Sequence, residues 1–295
     1  MISHILPFFA LIMVSVPITI AVAPAILLHG TPWEWVAIPM APLLFFFAYI
    51  LTAGTLSRSG VKAIVKGKFP RDLKHPVYGP RRLYGVSWTA VYYFTPLYFY
   101  CLSFRFTRGL LFRMFGYKGS IDITVYPDAW IRDLPLLQIS DKVYISNRST
   151  IGTNMCLNDG TIFVDPIRLD EGAIVGHLAM IAPGAKLGKN TELGVGNAFG
   201  IKSRMKDGSR CGPTTTVMHG ASIGENVEIG CSSYIGLRVK IAANLSIPAG
   251  ANIPAGADLK SQDEVLNYYT SETSHLKEAR MAMSGAVFES LAQEA

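Results

Sequence analysis

An apolar residue recurs at every sixth position between residues 139 and 259. Six is an even number, so a β-strand would place these residues on one face. A helix, which turns by about 100° per residue, would spread them over three directions. The pattern therefore predicts β-structure throughout this stretch. The repeat positions are Ile139, Ile145, Ile151, Leu157, Phe163, Leu169, Val175, Ile181, Leu187, Leu193, Phe199, Met205, Cys211, Val217, Ile223, Ile229, Ile235, Ile241, Ile247, Ile253 and Leu259.

Glycine marks the bends between these short strands. Gly176, Gly188, Gly212, Gly224 and Gly236 each follow a repeat position directly, where the chain has to turn sharply. Short strands that alternate with corners, with one inward aliphatic side chain per side, close into a three-sided parallel solenoid of about 18 residues per coil. Residues 139–259 then make about seven coils, stacked at a strand spacing of about 4.8 Å.

Two of the repeats carry a family resemblance. Residues 187–192 (Leu-Gly-Lys-Asn-Thr-Glu) and 223–228 (Ile-Gly-Glu-Asn-Val-Glu) resemble the hexapeptide repeats of left-handed β-helix acyltransferases, most of which are trimers. The resemblance implies an all-β left-handed parallel β-helix, acyl transfer from a thioester, and a homotrimer. From the basic linker after Gly60 onward, the order of features also resembles the membrane-embedded C-terminal region of poly-lysine-synthetase-type nonribosomal peptide synthetases, which implies an aminoacyl thioester and an amine.

Two long apolar runs precede the repeats. Residues 5–28 and 36–56 contain no charged side chain over 24 and 21 residues, and a membrane-spanning helix needs about 20. We expect two N-terminal transmembrane helices within a membrane domain of residues 1–118. A cleaved signal peptide is not expected, because no Lys or Arg precedes the first run and that run exceeds the usual length of about 7–15 residues.

The distribution of basic residues predicts the orientation in the membrane. Residues 29–35 contain no Lys or Arg, whereas the next loop is crowded with them. By the positive-inside rule this loop is cytoplasmic, which predicts a multi-pass protein of the inner (cytoplasmic) membrane with its β-helix on the cytoplasmic side. We assign the net charge of +6 to contact with membrane lipid rather than with nucleic acid. The basic residues of the loop are Arg58, Lys62, Lys66, Lys68, Arg71, Lys74, Arg81 and Arg82.

The remaining segments complete the domain organisation. Residues 83–104 are rich in aromatic side chains, with Pro96 near their middle; we favour an interfacial or re-entrant segment and keep a third span as the alternative. Residues 119–138 are expected to cap the first coil of a β-helix domain that covers 119–260. A helical tail, 261–295, begins at a capping box from Ser261 to Glu264 and continues in an amphipathic stretch at 276–291.

Two histidines are the candidate catalytic residues. His177 and His219 each stand two positions after an inward residue, where His is neither a turn former nor a core filler. An imidazole pKa of about 6.5 suits a general base that deprotonates an amine or a hydroxyl group; a structural hydrogen bond is the alternative. Their separation of 42 residues places them on different sides of the prism, and His219 ranks first because it adjoins a basic segment.

That basic segment, residues 201–216, keeps the six-residue register but is polar in composition, so we expect it to leave the prism as a loop and rejoin it in phase. Lys202, Arg204, Lys206 and Arg210 would suit the phosphates of coenzyme A or of a carrier protein's phosphopantetheine arm. A solvated or lipid-facing basic loop remains the alternative for these four cations.

Two competing functions remain. Residues 211–266 are similar to γ-class carbonic anhydrases, which hold zinc on three histidines, two of them five residues apart; His219 matches the second of that pair, but Thr214 stands at the first. We therefore predict no metal site. A non-enzymatic trimeric scaffold for membrane partners is the other alternative, because this type of solenoid folds without any active site.

Overall fold

A computed structural model describes residues 2–270 of the chain. Its N-terminal region is helical, and α1 and α2 pack side by side. Both are long and apolar enough to cross a membrane by length and composition, with mean hydropathies of 2.4 and 2.0. The helices are α1 (Ile2–Leu27), α2 (Glu34–Val61), α3 (Tyr78–Tyr93), α4 (Thr95–Ser103), α5 (Arg105–Met114) and, after the β-region, α6 (Gln262–Thr270).

The aromatic segment 83–104 forms parts of two short helices that fold back on each other. α3 runs along α2, where the Tyr49 hydroxyl donates to the Ala90 carbonyl oxygen at 3.3 Å. The chain reverses at Phe94, before a proline at the start of α4. The Phe94 ring lies 6.1 Å from that of Phe45 and 5.3 Å from that of Tyr49. The tip of the α3–α4 hairpin therefore lies beside the middle of α2.

The β-region consists of short strands, most of them two residues long. In chain order they are β1 (Gly67–Pro70), β2 (Thr124–Val125), β3 (Trp130–Ile131), β4 (Leu137–Ile139), β5 (Tyr144–Ile145), β6 (Thr150–Ile151), β7 (Asn154–Cys156), β8 (Thr161–Val164), β9 (Ile167–Leu169), β10 (Ile174–Val175), β11 (Met180–Ile181), β12 (Lys186–Leu187), β13 (Glu192–Leu193), β14 (Ala198–Phe199), β15 (Arg204–Met205), β16 (Arg210–Cys211), β17 (Thr216–Val217), β18 (Ser222–Ile223), β19 (Glu228–Ile229), β20 (Tyr234–Ile235), β21 (Lys240–Ile241), β22 (Ser246–Ile247), β23 (Asn252–Ile253) and β24 (Asp258–Leu259).

These strands build a three-sided prism. Among the described residues each side is a seven-stranded parallel sheet: the first sheet is β2-β5-β10-β13-β16-β19-β22, the second β3-β6-β11-β14-β17-β20-β23, and the third β4-β9-β12-β15-β18-β21-β24. The second residue of each two-residue strand points inward and is buried, as Val175, Ile181 and Leu187 are in successive sides of one coil. The predicted fold class, two apolar N-terminal helices followed by a left-handed parallel β-helix and a C-terminal helix, is confirmed.

Residues 119–138 do not cap the first coil. They form it, because β2 pairs with β5, β3 with β6 and β4 with β9 in the same parallel registers as the later coils. The inward residues Val125, Ile131 and Ile139 are buried like those of every other coil.

The position of the excursion from the prism also differs from the prediction. Residues 201–216 stay in the prism as parts of β15, β16 and β17, with Met205 and Cys211 inward, because their polar side chains occupy outward and corner positions. The chain leaves the prism earlier, in the antiparallel hairpin of β7 and β8. Leu157 and Phe163, expected in the core, lie in this hairpin and are only half-buried.

The linker between α2 and α3 is fastened to this hairpin. Its strand β1 pairs antiparallel with β8 over four residue pairs. Lys66 Nζ lies 3.0 Å from an Asp165 carboxylate oxygen, and Lys68 Nζ lies 2.6 Å from one of Asp159. Several of the basic residues that indicated a cytoplasmic loop thus bind the β-region of the same chain.

Helix α6 follows the last coil and starts with the predicted capping box. The Ser261 hydroxyl accepts from the Glu264 N–H at 3.4 Å, and the Glu264 carboxylate accepts from the Lys260 N–H at 2.6 Å. Gln262 bonds both the N–H and the carbonyl of Ser246 on the last coil. The amphipathic stretch predicted at 276–291 lies outside the described residues.

Candidate functional site

Two concave regions lie along one edge of the prism, the edge between the second and third sheets, which we call the second corner. One is a groove of about 570 Å³ over the fourth to seventh coils. The other is a cavity of about 600 Å³ where α3 meets the first coil and the β7–β8 hairpin. We call them the corner groove and the arginine cavity.

The corner groove holds one imidazole between two cations. His219 stands in its wall with Lys202 on the preceding coil and Arg238 on the following coil. Lys202 adopts a left-handed backbone conformation at the bend, with φ of 56°, and Arg238 does the same with φ of 55°. Because equivalent corner residues are 18 apart in sequence, the three side chains stack along the prism axis. The remaining wall is formed by Ile201, Gly220, Leu237, Ala255 and Gly256.

The hydrogen bond of His219 determines which of its ring nitrogens can react. The backbone N–H of Ile201 donates to His219 Nδ1 at 3.0 Å. A backbone amide can only donate, so Nδ1 provides the lone pair and the neutral ring carries its proton on Nε2. In this arrangement Nε2 is a hydrogen-bond donor to the groove and cannot accept a proton. The geometry therefore argues against the general-base role predicted for His219.

A second corner of the prism uses the same bond without a histidine. The Asp207 carboxylate accepts from the backbone N–H of Lys189 at 2.8 Å, again 18 residues earlier. Asp207 and His219 hold equivalent positions, two residues after an inward side chain. Part of the role of His219 is therefore structural, because it satisfies a corner amide.

His177 lies on the first corner, between β10 of the first sheet and β11 of the second, and so is separated from His219 as the sequence predicts. It is half-buried, and its carbonyl oxygen accepts from the Gly196 N–H at 2.8 Å. Within residues 2–270 its ring makes no hydrogen bond or ion pair. Both ring nitrogens are thus free to take the tautomer of a base.

The four predicted phosphate ligands do not converge. Lys202 lies in the corner groove, with its Nζ 5.3 Å from the centre of the Phe163 ring. Arg204 points outward from the third sheet. Lys206 lies on the third corner, 3.7 Å from a carboxylate oxygen of Glu225. Arg210 points outward from the first sheet between Glu192 and Glu228. Arg238, which the sequence did not indicate, is the second cation of the groove.

The arginine cavity was not predicted. Arg71, Arg81, Arg82 and Arg132 line it together with a single carboxylate, that of Asp133. Arg81 comes from the first turn of α3, and Asp133 from the second corner of the first coil, where it adopts a left-handed conformation with φ of 51°.

Asp133 is buried in a closed hydrogen-bond network. One of its carboxylate oxygens, Oδ2, accepts from the Arg81 guanidinium, from Thr153 Oγ1 at 2.5 Å and from Asn154 Nδ2 at 2.8 Å. Its charge is therefore used within the protein. Arg71 lies at the rim, where its hydrogen bonds to Tyr78 and to Cys156 raise the pKa of its guanidinium.

Zinc ligation finds no support in the described part of the chain. Thr214, at the position of the missing histidine, bonds the Ser232 hydroxyl at 2.9 Å. Among residues 2–270 no three His, Cys, Asp or Glu side chains are grouped so that they could hold a metal ion.

Comparison with known proteins finds no matching family model and no similar curated protein in sequence. Several solved structures are similar. A variant of GDP-perosamine N-acetyltransferase from Caulobacter crescentus, in complex with CoA and GDP-perosamine, shares 15% identity over 52% of this chain and 55% of its own, with a TM-score of 0.31. The similarity thus spans about half the length of that enzyme.

Two other structures give similar values. LpxA from Acinetobacter baumannii shares 14% identity over 53% of this chain and 78% of its own, with a TM-score of 0.25. The acetyltransferase domain of PglB from Neisseria gonorrhoeae shares 16% identity over 54% of this chain and 60% of its own, with a TM-score of 0.23.

Proposed function

We propose that the protein is a membrane-anchored acyltransferase that moves an acyl or aminoacyl group from a CoA or phosphopantetheine thioester to an amine or hydroxyl group. The observation that carries the proposal is the corner groove, in which an imidazole N–H stands between two cations on a largely apolar wall. Cations suit the phosphates of the donor, and the apolar wall suits its pantetheine arm.

In this proposal His219 acts at the carbonyl and not at the nucleophile. Attack on a thioester places negative charge on the carbonyl oxygen, and a preorganised N–H donor stabilises that charge. The Nε2–H of His219, with its tautomer fixed by the Ile201 amide, is such a donor. An α-amino acceptor has a pKa of about 7.7–8.0 and is partly neutral at pH 7, so it needs little help from a base. A hydroxyl acceptor would need a base, for which His177 is the second candidate.

We propose the membrane anchor on the exposure of the N-terminal helices. A core helix of a soluble protein is mostly buried, whereas only 17% and 22% of the most apolar windows of α1 and α2 are buried. Large apolar side chains such as Phe8, Leu11 and Leu27 are exposed. With the basic linker on the cytoplasmic side, α3 and α4 would form a re-entrant hairpin beside α2, and membrane lipid would be a partner.

We also propose a homotrimer, with a carrier protein or free CoA as the source of the thioester. An exposed apolar patch around the first corner, formed by Ile174, Leu178, Met180 and Val195, supports a subunit contact there. His177 adjoins this patch and would then lie close to a second subunit.

The test is thiol release from acyl- and aminoacyl-thioesters by the detergent-purified protein, with and without candidate amines. His219→Asn keeps an acceptor for the Ile201 amide and removes Nε2–H, whereas His219→Ala removes both. We expect both variants to lose about 10²–10³ in kcat, the cost of one oxyanion donor. Full activity of His219→Asn with loss in His219→Ala would assign His219 a structural role only.

The donor site is tested separately. Lys202→Gln and Arg238→Gln should each raise the KM for the thioester by about tenfold, the effect of one lost charge-assisted contact. Arg204→Gln is the matched control, because this cation was predicted from sequence but lies outside the groove. An equal rise in KM for Arg204→Gln would contradict the site.

A non-enzymatic trimeric scaffold is the competing function. The equivalence of His219 and Asp207 favours it, because a corner acceptor needs no catalytic role. No release from any donor, by protein shown to be a folded trimer, would favour the scaffold over acyl transfer.

A further inference from the structure

The arginine cavity has more positive charge than its surroundings neutralise. Asp133 is its single carboxylate and is already occupied by Arg81, Thr153 and Asn154. Within the described residues no Asp or Glu lies in ion-pair distance of Arg71, Arg82 or Arg132. Four arginines converge only rarely without an anion between them, because like charges repel at short range.

A buried nitrogen points to the same conclusion. Arg81 is 7% exposed, and its Nη1 has no hydrogen-bond partner in the described part of the chain. A buried N–H that lacks a partner costs free energy, and the cost is larger when the group is charged. Since Arg81 lines the cavity, an anion bound there would compensate both the charge and the missing bond.

The shape of the cavity indicates what kind of anion fits. Its volume of about 600 Å³ is larger than a single phosphate needs. The wall formed by α3 changes character along the helix, from Arg82 at the first turns to Val86 and Ala90 further on. In the same direction α3 runs back along α2, whose exposed apolar surface is that of a membrane helix. A ligand with a charged head and an apolar tail would match this order.

We propose that the arginine cavity binds the phosphate group of an amphiphile, a lipid phosphate monoester whose tail follows α3 toward the membrane. Guanidinium groups bind phosphate oxygens in pairs, and the three arginines without carboxylate partners can supply such bonds. The site is independent of acyl transfer. It lies on the second corner four coils from His219, about 19 Å at the usual strand spacing of ~4.8 Å.

The test uses a cysteine that the cavity already contains. Cys156 lines the cavity and is exposed, and Cys231 is exposed on a distant coil and serves as an internal control. The full chain is reconstituted in vesicles of phosphatidylcholine with or without phosphatidic acid, and the rate of alkylation of each thiol by neutral iodoacetamide is followed by mass spectrometry. A third arm adds inorganic phosphate to the phosphatidylcholine vesicles, which distinguishes free phosphate from a lipid head group.

We expect phosphatidic acid to slow alkylation of Cys156 at least about tenfold while that of Cys231 stays unchanged, as expected for a ligand held by several charge-assisted bonds. Arg82→Gln removes a cation and Gly85→Leu fills the cavity from α3, where an added Cβ meets only the end of the Arg132 side chain at 3.6 Å. Both variants should lose the protection. Arg81 is left intact, because its loss would leave Asp133 without its cation.

Arg58→Gln is the matched control. It removes one exposed charge at the end of α2, outside the cavity, and should keep the protection. Protection by inorganic phosphate at equal concentration would retain the phosphate site but remove the lipid tail from the proposal. Absence of protection in both arms, or equal loss in Arg58→Gln, would overturn it, since general attraction to an anionic surface would then explain the result.

Discussion

The regular coils after residue 167 and the junction of α3 with the first two coils are held together in different ways. In the coils, each strand bonds the strand 18 residues away, and the same inward position is repeated from sheet to sheet. At the junction, the important partners are far apart in sequence, with 52 residues between Arg81 and Asp133 and 91 between Lys68 and Asp159. The comparison teaches that the repeat determines the scaffold, while the unusual chemistry collects where the repeat is interrupted.

The largest expected effect is at the junction. Asp133→Asn keeps a residue that tolerates the left-handed conformation and removes only the charge. Arg81 would then be a buried, unpaired cation, and the free energy of unfolding should fall by about 3–5 kcal/mol. Denaturation of the protein in detergent micelles, followed by circular dichroism, measures the change.

Two further variants test the interpretation of that result. Arg81→Met combined with Asp133→Asn removes both charges and should recover most of the loss. Glu171→Gln breaks the exposed pair with Lys142, whose atoms lie 3.1 Å apart, and should change the unfolding free energy by less than about 1 kcal/mol. Equal effects of Asp133→Asn and Glu171→Gln would mean that burial does not distinguish the two pairs.

The next effect separates two leucines that are indistinguishable in the sequence pattern. Leu187 is fully buried in the prism, so Leu187→Ala should cost about 2–5 kcal/mol of unfolding free energy. Leu157 holds the same six-residue phase but lies half-buried in the β7–β8 hairpin, and Leu157→Ala should cost less than about 1.5 kcal/mol. The same denaturation assay compares them, and similar losses would place Leu157 in the core after all.

The smallest effect concerns the pH dependence of the hairpin. Hydrogen bonds from Lys68, and then from Thr161, hold the pKa of Asp159 well below its usual range. A lowered pKa in the folded state stabilises the hairpin above the unfolded value of about 3.9, and this contribution is lost as the pH falls toward the folded value. Hydrogen exchange of hairpin peptides, corrected for intrinsic rates, should speed up below about pH 4. Asp159→Asn should remove the dependence.

Most of the scaffold could be predicted from the sequence because the inward residues of a β-helix repeat locally. Counting failed at the hairpin for a simple reason. Ile151 and Leu169 are inward neighbours in the structure but lie 18 residues apart. The insertion between them is a multiple of six, so apolar residues at 157 and 163 keep the numerical phase. The polar composition of 201–216 misled in the opposite direction, because outward and corner positions tolerate any side chain that faces water.

The arginine cavity could not be predicted, because it depends on contacts between distant segments. Arg81 and Arg82 are adjacent in sequence and identical in type, yet one is buried and the other exposed. Nothing in the local pattern separates them. His219 was found by its unusual residue type at a corner, but its hydrogen bond to the Ile201 amide, which changes its chemical role, required the structure.

The pairing of β1 with β8 has a mechanical consequence. A domain joined to its anchor by one strand of chain can swivel about that strand. Here the β-helix has two mounts, the covalent connection after α5 and the four-residue sheet contact from the linker between α2 and α3. Two separate mounts resist torsion, so the prism axis keeps a fixed angle to α2. The height of every coil above the membrane surface is then set by geometry, and the second corner presents its groove at a constant distance from the helices.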